Sequence, residues 1–193
     1  KHKEFKNLLP QNRDVVYGGQ PTIFEIPIYA DKLGPLQLCW TQGVLTTTGG
    51  TFRRFSDWLG LAAIQRIVFR FGPNEVFTHW PEKKFWKINK HLHSEKQAAE
   101  AAMLQGFLST AQRNTNAAIT TGQKIIYDIP FPFTLSPDRY QEIRQLSISP
   151  TVEVYWKALA DFVQTDGTVP VSVISDLLLV QNNIFLEAQE RDA

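Results

Sequence analysis

The segment Ala63–Phe71 constrains the fold more than any other part of this chain. One set of alternate positions is mostly aliphatic and aromatic, and consists of Gln65, Ile67, Phe69 and Phe71. The intervening set carries two arginines, and consists of Ile64, Arg66, Val68 and Arg70. An alternation of period two predicts a β-strand with one buried face. The turn residues 72–75 (GPNE) and the returning segment Glu75–Trp80 then predict an antiparallel hairpin.

Strand signals recur along the rest of the chain. They lie at Thr22–Tyr29, Leu36–Thr47, Gln123–Pro130, Thr151–Trp156, Asp161–Gln164 and Val169–Leu186. Pro27 places the first of these at a sheet edge or a bulge, and Asn182-Asn183 predicts a bend or bulge in the last. A parallel sheet would need a helix between most strands, and such helices are missing from the pattern. We therefore expect a mainly β protein of about eight short antiparallel strands, either a sandwich or a jelly roll.

Specific core positions follow from this pattern. Leu36, Leu38 and Trp40 share one face of their strand. The residues expected to face the barrel interior are Ile67, Phe69, Phe71, Ile126 and Leu179.

One segment has helical rather than strand periodicity. Pro81 suits a first helical turn, and apolar residues recur at helical spacing at Phe85, Ile88 and Leu92. Ser94 and Gln97 form a capping box for a second helix. The sequence predicts a helical insertion at about 81–113, outside the barrel and packed against it or against a neighbouring subunit. A shorter helix is predicted from Ser136 to near Leu146.

Length and composition indicate one packed domain. The chain has 193 residues, of which 43% are hydrophobic and 20% charged. We expect an N-terminal arm at residues 1–14 and a single jelly-roll domain at 15–193, which would be the first of two barrels if a longer chain continues beyond it. Residues 1–12 are polar and carry three lysines, so we expect an arm that packs little by itself and is ordered by a neighbour.

Charge and cysteine content exclude several classes of protein. The net charge of +1 creates no overall field that would attract nucleic acid. The single cysteine, Cys39, excludes an internal disulfide framework, and we expect it to be a small buried hydrophobe in a strand. No window has the roughly 18 uncharged apolar residues of a membrane span.

The sequence offers no convincing catalytic or metal site. His91 and His93 have cupin-like spacing, and acidic residues follow at Glu95 and Glu100. The other histidines, His2 and His79, precede this motif, so the expected third histidine is missing. His91 and His93 also lie at a predicted helix end, where positions i and i+2 point to different sides. Asp57 and Asp128 are carboxylates that could act as general acids. Asp128 is better explained as a residue that caps a strand or lies at its edge.

Arginines and tryptophans are the remaining candidates for a binding surface. The arginines are Arg53, Arg54, Arg66 and Arg70, of which the last two share a strand face. They indicate a solvated outer face, or alternatively a surface facing another subunit or nucleic acid. The tryptophans are Trp40, Trp58, Trp80, Trp86 and Trp156, and their scatter over separate elements favours core and interface positions over a sugar-binding platform.

Three passages resemble the first barrel of a double jelly-roll major capsid protein, the family of tailless icosahedral phages, adenoviruses and large eukaryotic DNA viruses. The passages are Phe55–Asn89, Tyr127–Phe133 (YDIPFPF) and Leu178–Arg191. The first is similar to the family's early strand, turn and amphipathic helix. The second is similar to a proline-rich strand before a loop, and the third to the strand that closes the first barrel. The family has two barrels, whereas this sequence has room for one.

The resemblance implies that the mainly β chain folds as an antiparallel eight-stranded jelly-roll barrel with a helical insertion. It also implies a structural viral major capsid protein in the virion, with trimeric capsomers that form an icosahedral shell. It implies no enzymatic activity, no catalytic residues, no cofactor and no specific recognition of nucleic acid. The expected partners are further copies of the chain, with minor capsid or membrane components in addition. Two alternatives remain open at this point: a carbohydrate-binding or adhesion jelly roll that uses tryptophans as stacking platforms, and a cupin-like metal enzyme.

Overall fold

A computed structural model describes residues 2–12, 15–56, 59–81, 123–129, 141–144 and 146–187. Most of them lie in β-strands. The strands in chain order are β1 His2–Leu8, β2 Thr22–Glu25, β3 Lys32–Gln42, β4 Thr46–Thr48, β5 Arg53–Phe55, β6 Ile64–Phe71, β7 Asn74–His79, β8 Gln123–Ile129, β9 Gln141–Glu142, β10 Pro150–Trp156, β11 Val163–Thr165, β12 Thr168–Val171 and β13 Ile174–Phe185. One short helix, α1, spans Leu59–Ala63, and a 3-10 turn spans Leu159–Asp161.

Two antiparallel sheets form the body of the fold. The first has the strand order β1-β13-β3-β8, with β9 pairing β3 outside this path. The second has the order β2-β10-β6-β7. Two small two-stranded sheets, β11 with β5 and β12 with β4, are built from the connections β3–β6 and β10–β13. The fold is therefore mainly β and antiparallel, as the sequence predicts.

The two main sheets pack face to face over one hydrophobic core. Trp40 on β3 contacts Trp156 on β10 edge to face, with ring centroids 5.3 Å apart. The predicted row Leu36, Leu38 and Trp40 is fully buried. Ile67, Phe69 and Leu179 are buried in the same core, as expected. Aromatic and branched side chains of this size bring most of the apolar surface that is removed from water.

Two expected interior positions need correction. Ile126 is only partly buried, whereas its neighbours Ile125 and Tyr127 are in the core. Tyr127 is opposite Leu38 and Ile126 is opposite Cys39. Because opposite residues share a sheet face, this register turns Ile126 to the outer face. Phe71, at the end of β6, is partly buried and only borders the core.

The prediction that Lys1–Asn12 packs little by itself and gains order only from a neighbour is wrong for residues 2–8. These form strand β1, which pairs with β13 in unbroken antiparallel register from His2 opposite Phe185 to Leu8 opposite Leu179. Only Leu8 of the strand is buried, so the side-chain pattern resembles that of a solvated arm. The backbone pairing depends on a strand about 180 residues away, which local sequence cannot reveal.

The predicted helices have different outcomes. The insertion at about 81–113 lies outside the described residues, apart from Pro81. In the predicted helix from Ser136 to near Leu146, Gln141 and Glu142 instead form β9, which pairs with Leu33 and Lys32. No helix among the residues that the structure describes is long and apolar enough to cross a membrane.

Strand β13 is continuous over twelve residues, and its pairing with β3 is irregular at two places. Three steps from Ser175 to Leu178 match two steps on β3, and Asp176 within that bulge has a positive φ of 50°. The second irregularity lies at Gln181–Asn183, near the predicted bend, but there the extra residue is on β3. Bulges increase the local twist of a strand, and β13 accommodates both of them while it pairs with β1 and β3 along its length.

Three long connections, β3–β6, β7–β8 and β10–β13, meet at one end of the sheets, here called the loop end, whereas the connection from Ile129 to Pro150 leaves and re-enters the sheets at the opposite end. The loop end is defined by the strand termini Gln42, Ile64, His79, Gln123, Trp156 and Ile174. Gln42 is opposite both Gln123 and Ile174, which aligns three of these termini in the first sheet. The gap between β7 and β8, residues 80–122, therefore begins and ends at the loop end, beside the two small sheets.

Candidate functional site

Within the described part of the chain, the titratable side chains do not form a catalytic constellation. No group of three or more His, Cys, Asp and Glu residues among those described could hold a metal ion. His91, His93, Glu95, Glu100 and Asp57 lie outside the described residues. His2 is in β1, where its ring is 6.1 Å from that of Phe185.

The closest approach to an acid–base pair is His79 with Tyr127. The His79 Nε2 and the Tyr127 hydroxyl are 2.6 Å apart and share a hydrogen bond inside the core. Burial, with a smaller contribution from the charge of Asp128, raises the pKa of Tyr127 well above its usual value. The pair joins the last residue of β7 to the fifth residue of β8, and it is closed to a substrate because both side chains are buried. Its role is to hold the two sheets together.

The remaining reactive candidates have structural surroundings. Cys39 is buried on the outer side of β3, and burial raises the pKa of its thiol, which confirms the expected buried hydrophobe. Asp128 lies at a strand surface, where Gln37 Nε2 donates to its Oδ1 at 2.7 Å. Gln37 and Asp128 are opposite each other on β3 and β8, so the carboxylate supports strand pairing.

The arginine face of β6 is occupied by neighbouring side chains. Arg70 Nε donates to Glu153 Oε1 at 2.9 Å, and the Tyr155 hydroxyl donates to Glu153 Oε2 at the same distance. The Arg66 guanidinium carbon lies 4.2 Å from the centroid of the Tyr155 ring and 5.7 Å from that of Trp80. This outer face of the second sheet thus carries one ion pair, Arg70 with Glu153, and a second arginine, Arg66, that contacts aromatic rings. Arg53 and Arg54 are on β5, at the loop end and away from this face.

Two of the five tryptophans are buried and therefore cannot stack against a bound sugar. Trp40 and Trp156 are almost fully buried and fill the core, and Trp156 Nε1 donates to Thr22 Oγ1 at 2.9 Å. Trp80 is partly exposed and lies beneath Arg66. Trp58 and Trp86 are outside the described residues.

A buried polar network closes the loop end, and sequence reasoning missed it. Gln42 is fully buried, and its Oε1 accepts hydrogen bonds from the Tyr17 hydroxyl and from Trp40 Nε1. Its Nε2 donates to Ser172 Oγ at 2.8 Å, and Ser172 Oγ donates to the Gly43 carbonyl oxygen at 2.9 Å. One glutamine therefore ties β3 to the connection before β13. A glutamine at the end of an apolar strand was the only available signal.

Asp166 fastens the small sheets of the loop end to each other. Its Oδ1 accepts from Phe52 N at 2.7 Å, and its Oδ2 accepts from Thr51 N and Thr51 Oγ1 at 3.1 Å. The hydrogen bonds from the two backbone amides lower the pKa of Asp166. The two long connections are thereby built into one ordered projection instead of two independent loops.

The loop end also carries exposed apolar side chains. Val44, Val171 and Val173 are 38%, 52% and 63% exposed. They are neighbours, because Val171 pairs with Thr46 and the Val173 carbonyl oxygen accepts from Gly43 N. A cluster of exposed valines on an ordered projection is typical of a contact surface between proteins. We name Val44, Val171 and Val173 the valine cluster.

Comparison with solved structures identifies proteins of similar fold, whereas comparison of sequences identifies no family. No protein-family model matches the sequence, and no curated protein matches it either.

Solved viral capsid proteins share the architecture. PBCV-1 VP54, fitted into a cryo-EM reconstruction of the virophage Sputnik, matches with a TM-score of 0.69 at 12% identity over 99% of this chain and 44% of its own. A quasi-atomic model of the PBCV-1 virus capsid gives a TM-score of 0.67 at 12% identity over 100% of this chain and 45% of the other. The Faustovirus major capsid protein gives 0.61 at 11% identity, over 99% of this chain and 55% of the other.

The chain thus spans about half the length of these structures. The resemblance read from the three sequence passages is confirmed at the level of the fold.

Proposed function

We propose that this chain is a structural capsid protein of a virion, and that its two-sheet body is a building block of the shell. The observation that carries the proposal is the match of almost the whole chain to viral major capsid proteins at TM-scores of 0.61 to 0.69. The identities of 11 to 12% establish the fold alone, so the function rests on this likeness together with the surfaces described above.

The strand order supports a jelly roll as the finer description. Omitting β9 and the two small sheets leaves eight strands in two sheets of four. In chain order, the first sheet then holds strands one, eight, three and six, and the second holds strands two, seven, four and five. This interleaving of early and late strands is the jelly-roll connectivity that closes two Greek keys on each other. The remaining short strands extend the loop end.

The finer assembly proposals follow from the surfaces. Trimeric capsomers would bury the valine cluster, because an exposed apolar group on an ordered projection is stabilised by a contact that removes it from water. Icosahedral packing of such trimers, a second barrel in a longer chain, and contacts with minor capsid or membrane components belong to the same proposal. We propose no enzymatic role, no cofactor and no specific nucleic-acid site. We also propose that residues 15–193 form one domain, to which β1 contributes an edge strand.

The test is the state of association of the purified chain. Light scattering coupled to size exclusion should show trimers, and electron microscopy should show larger particles at high protein concentration. The variant Val173→Asp should lower the trimer fraction at least about tenfold, since a charge in a buried contact loses several kcal/mol of hydration. Ile148→Asp is the matched control, because Ile148 is 55% exposed on the β10 side away from the loop end.

Two results would overturn the proposal. A chain that stays monomeric at every concentration and forms no particles is not a shell protein. A monomer that binds a glycan column would support the carbohydrate-binding alternative, for which Trp80 is the remaining described tryptophan with exposed surface.

A further inference from the structure

Strand β1 forms one edge of the first sheet. Its seven residues pair with β13 on one side, and no other strand among the described residues pairs with its second side. Six of the seven side chains are exposed, including Phe5, which is 68% exposed in the middle of the strand. An edge of this kind presents a row of backbone N–H and C=O groups that can accept a further strand.

Several features that normally protect an edge are missing from β1. It contains neither proline nor glycine, and its register with β13 has no bulge. Lysine is the protective feature that remains, at Lys3 and Lys6, but Glu4 lies between them. The two lysines therefore protect this edge only weakly. A strand whose charges are complementary to Lys3, Glu4 and Lys6 would pair with it favourably.

The charge order of β1 is complementary to itself. When two copies pair antiparallel about Phe5, all seven residues find an opposite residue and Glu4 of each copy faces Lys6 of the other. Phe5 then faces Phe5. Opposite charges at directly opposed positions favour a pair, whereas a shift by one residue would place Glu4 opposite Phe5 and Lys3 opposite Lys6.

The two charged side chains are already gathered on one face. Glu4 and Lys6 alternate with Phe5, so they share the face opposite to it. The Lys6 ammonium nitrogen lies 4.5 Å from the centroid of the Tyr29 ring. Tyr29 also accepts a hydrogen bond from Asn183 Nδ2 at 2.6 Å, which fixes the ring under the lysine. Because the contact with Tyr29 restricts Lys6 before association, ordering it for an ion pair loses less entropy than ordering a free lysine.

We propose that β1 is a self-recognition strand: it pairs antiparallel with β1 of a second copy of this chain, centred on Phe5, and joins the first sheets of the two copies across a twofold axis. This contact needs only β1 and does not depend on the capsid role. A seven-residue strand pair is a small interface, so it acts in concert with other contacts in an assembly.

Cysteine cross-linking of the full chain tests the centre of the pairing. In a Cys39→Ala background, Phe5→Cys places two thiols directly opposite each other, where the Cα atoms are about 4.5–5.5 Å apart and within disulfide range. Asn7→Cys is the matched control on the same strand and face. Its two copies would lie four residues apart, roughly 13 Å, which is too far for a disulfide.

Under mild oxidation, Phe5→Cys should form the covalent dimer at least about tenfold faster than Asn7→Cys. Equal rates for the two variants would overturn the proposal, because random collision would then explain both. If the chain forms particles but the two variants cross-link at the same rate, the capsid proposal is supported and the proposed pairing of β1 with β1 is wrong.

Charge exchange in the Phe5→Cys background tests the register. Glu4→Lys alone and Lys6→Glu alone should each slow dimer formation, since each places like charges opposite each other. An equal mixture of the two variants should restore the original rate through mixed dimers, because each lysine then faces a glutamate. A mixture that cross-links no faster than its components would contradict the proposed register.

Discussion

Tyr17 and Tyr127 are tyrosines whose hydroxyls form hydrogen bonds between separate elements of the fold. Tyr127 bonds to His79 across the two sheets, and Tyr17 donates to Gln42 beside the Trp156 ring. Burial raises the pKa of both hydroxyls, and for Tyr17 the hydrogen bond to Gln42 opposes this in part. A phenolate at either place would lack water, so the fold holds both groups neutral.

These two tyrosines predict a loss of stability at alkaline pH. Above pH about 10 the unfolded chain loses these protons while the folded chain keeps them, so the free energy of unfolding falls as pH rises. The fall is about 1.4 kcal/mol per pH unit for each tyrosine. Urea unfolding between pH 8 and 11.5 should show it, and Tyr127→Phe should reduce the slope by the share of one tyrosine. At pH 8 the same variant should lose about 0.5–1.5 kcal/mol with its hydrogen bond.

A slope unchanged in Tyr127→Phe would contradict this account of the Tyr127 environment. Tyr17→Phe provides a parallel check, because burial raises the pKa of Tyr17 as well. The share of the tyrosinate absorbance that belongs to Tyr17 and Tyr127 should rise only when the protein unfolds.

At the residue scale, the sequence predicts apolar positions better than polar ones. The row Leu36, Leu38 and Trp40 follows from alternation alone, because burial of one strand face is a local pattern. Gln42 and Asp31 could not be assigned, because their partners are distant in sequence. Gln42 bonds to Ser172, and Asp31 accepts from the backbone N–H of Leu186 at 2.8 Å. Such pairs exist only once the topology is known.

At the element scale, the small sheets of the loop end depend on glycines with little room. Gly49 and Gly50 both have positive φ, at 67° and 74°. A Cβ on Gly50 would lie 2.4 Å from Asp166 Oδ1 and 2.5 Å from Gly167 N. A Cβ on Gly49 would meet nothing within 4 Å. A side chain at either position would therefore adopt a strained backbone conformation, but only a side chain at Gly50 would also collide with its neighbours.

This difference predicts unequal effects of alanine. Gly49→Ala should cost the left-handed backbone strain alone, about 1–2 kcal/mol. Gly50→Ala should also displace Asp166 and Gly167, and so release the Thr51 and Phe52 amides. Hydrogen exchange should show faster exchange of these two amides in Gly50→Ala than in Gly49→Ala. Equal exchange in both variants would show that Asp166 does not hold the loops together.

Elements with local signatures could be predicted, and those formed by distant pairing could not. The hairpin of β6 and β7 follows from alternation around the turn that contains Gly72, whose φ is 58°. Strand β1 has the composition of a polar terminus, and β9 lies in a segment with a helical N-terminal signal. Both become strands because a neighbouring strand offers them hydrogen bonds, and this tertiary effect overrides local propensity.

At the scale of the whole molecule, β13 is the strand on which the first sheet depends. It lies between β1 and β3, and it is the last strand of the described chain. Nearly every pairing in this sheet joins residues that are far apart in sequence, as with Lys3 and Ile184. Loop closure of this length slows folding, so the sheet should form late.

Removal of residues 174–193 should therefore abolish cooperative unfolding. The truncated chain loses the partner of β1 and one side of β3, and it exposes the core that Leu177 and Leu179 cover. Calorimetry and circular dichroism should show no sharp thermal transition. Removal of residues 188–193 alone leaves β13 whole and should retain the transition. A cooperative transition in the larger truncation would mean that the second sheet folds without the first.

The fold class could be predicted from the sequence because strand alternation, turn residues and missing helices all pointed to an antiparallel sheet. The pairing order could not, since the same eight strands are compatible with several connectivities. The outward turn of Ile126 shows the limit: Ile125 and Ile126 are equally apolar, and only the register with β3 decides between them.

Three long connections leave and re-enter the sheets at the loop end, and we expect this end of the molecule to tolerate added sequence. Strand pairing extends to Gln42, where β3 ends, and to Gln123 and Ile174, where β8 and β13 begin. Lengthening one of the three connections costs only the slow logarithmic entropy of a larger loop. A foreign peptide spliced between Thr48 and Gly49, where a Cβ on Gly49 would meet nothing within 4 Å, would be carried outward on the two small sheets. The protein thus offers a ready scaffold for displaying an epitope.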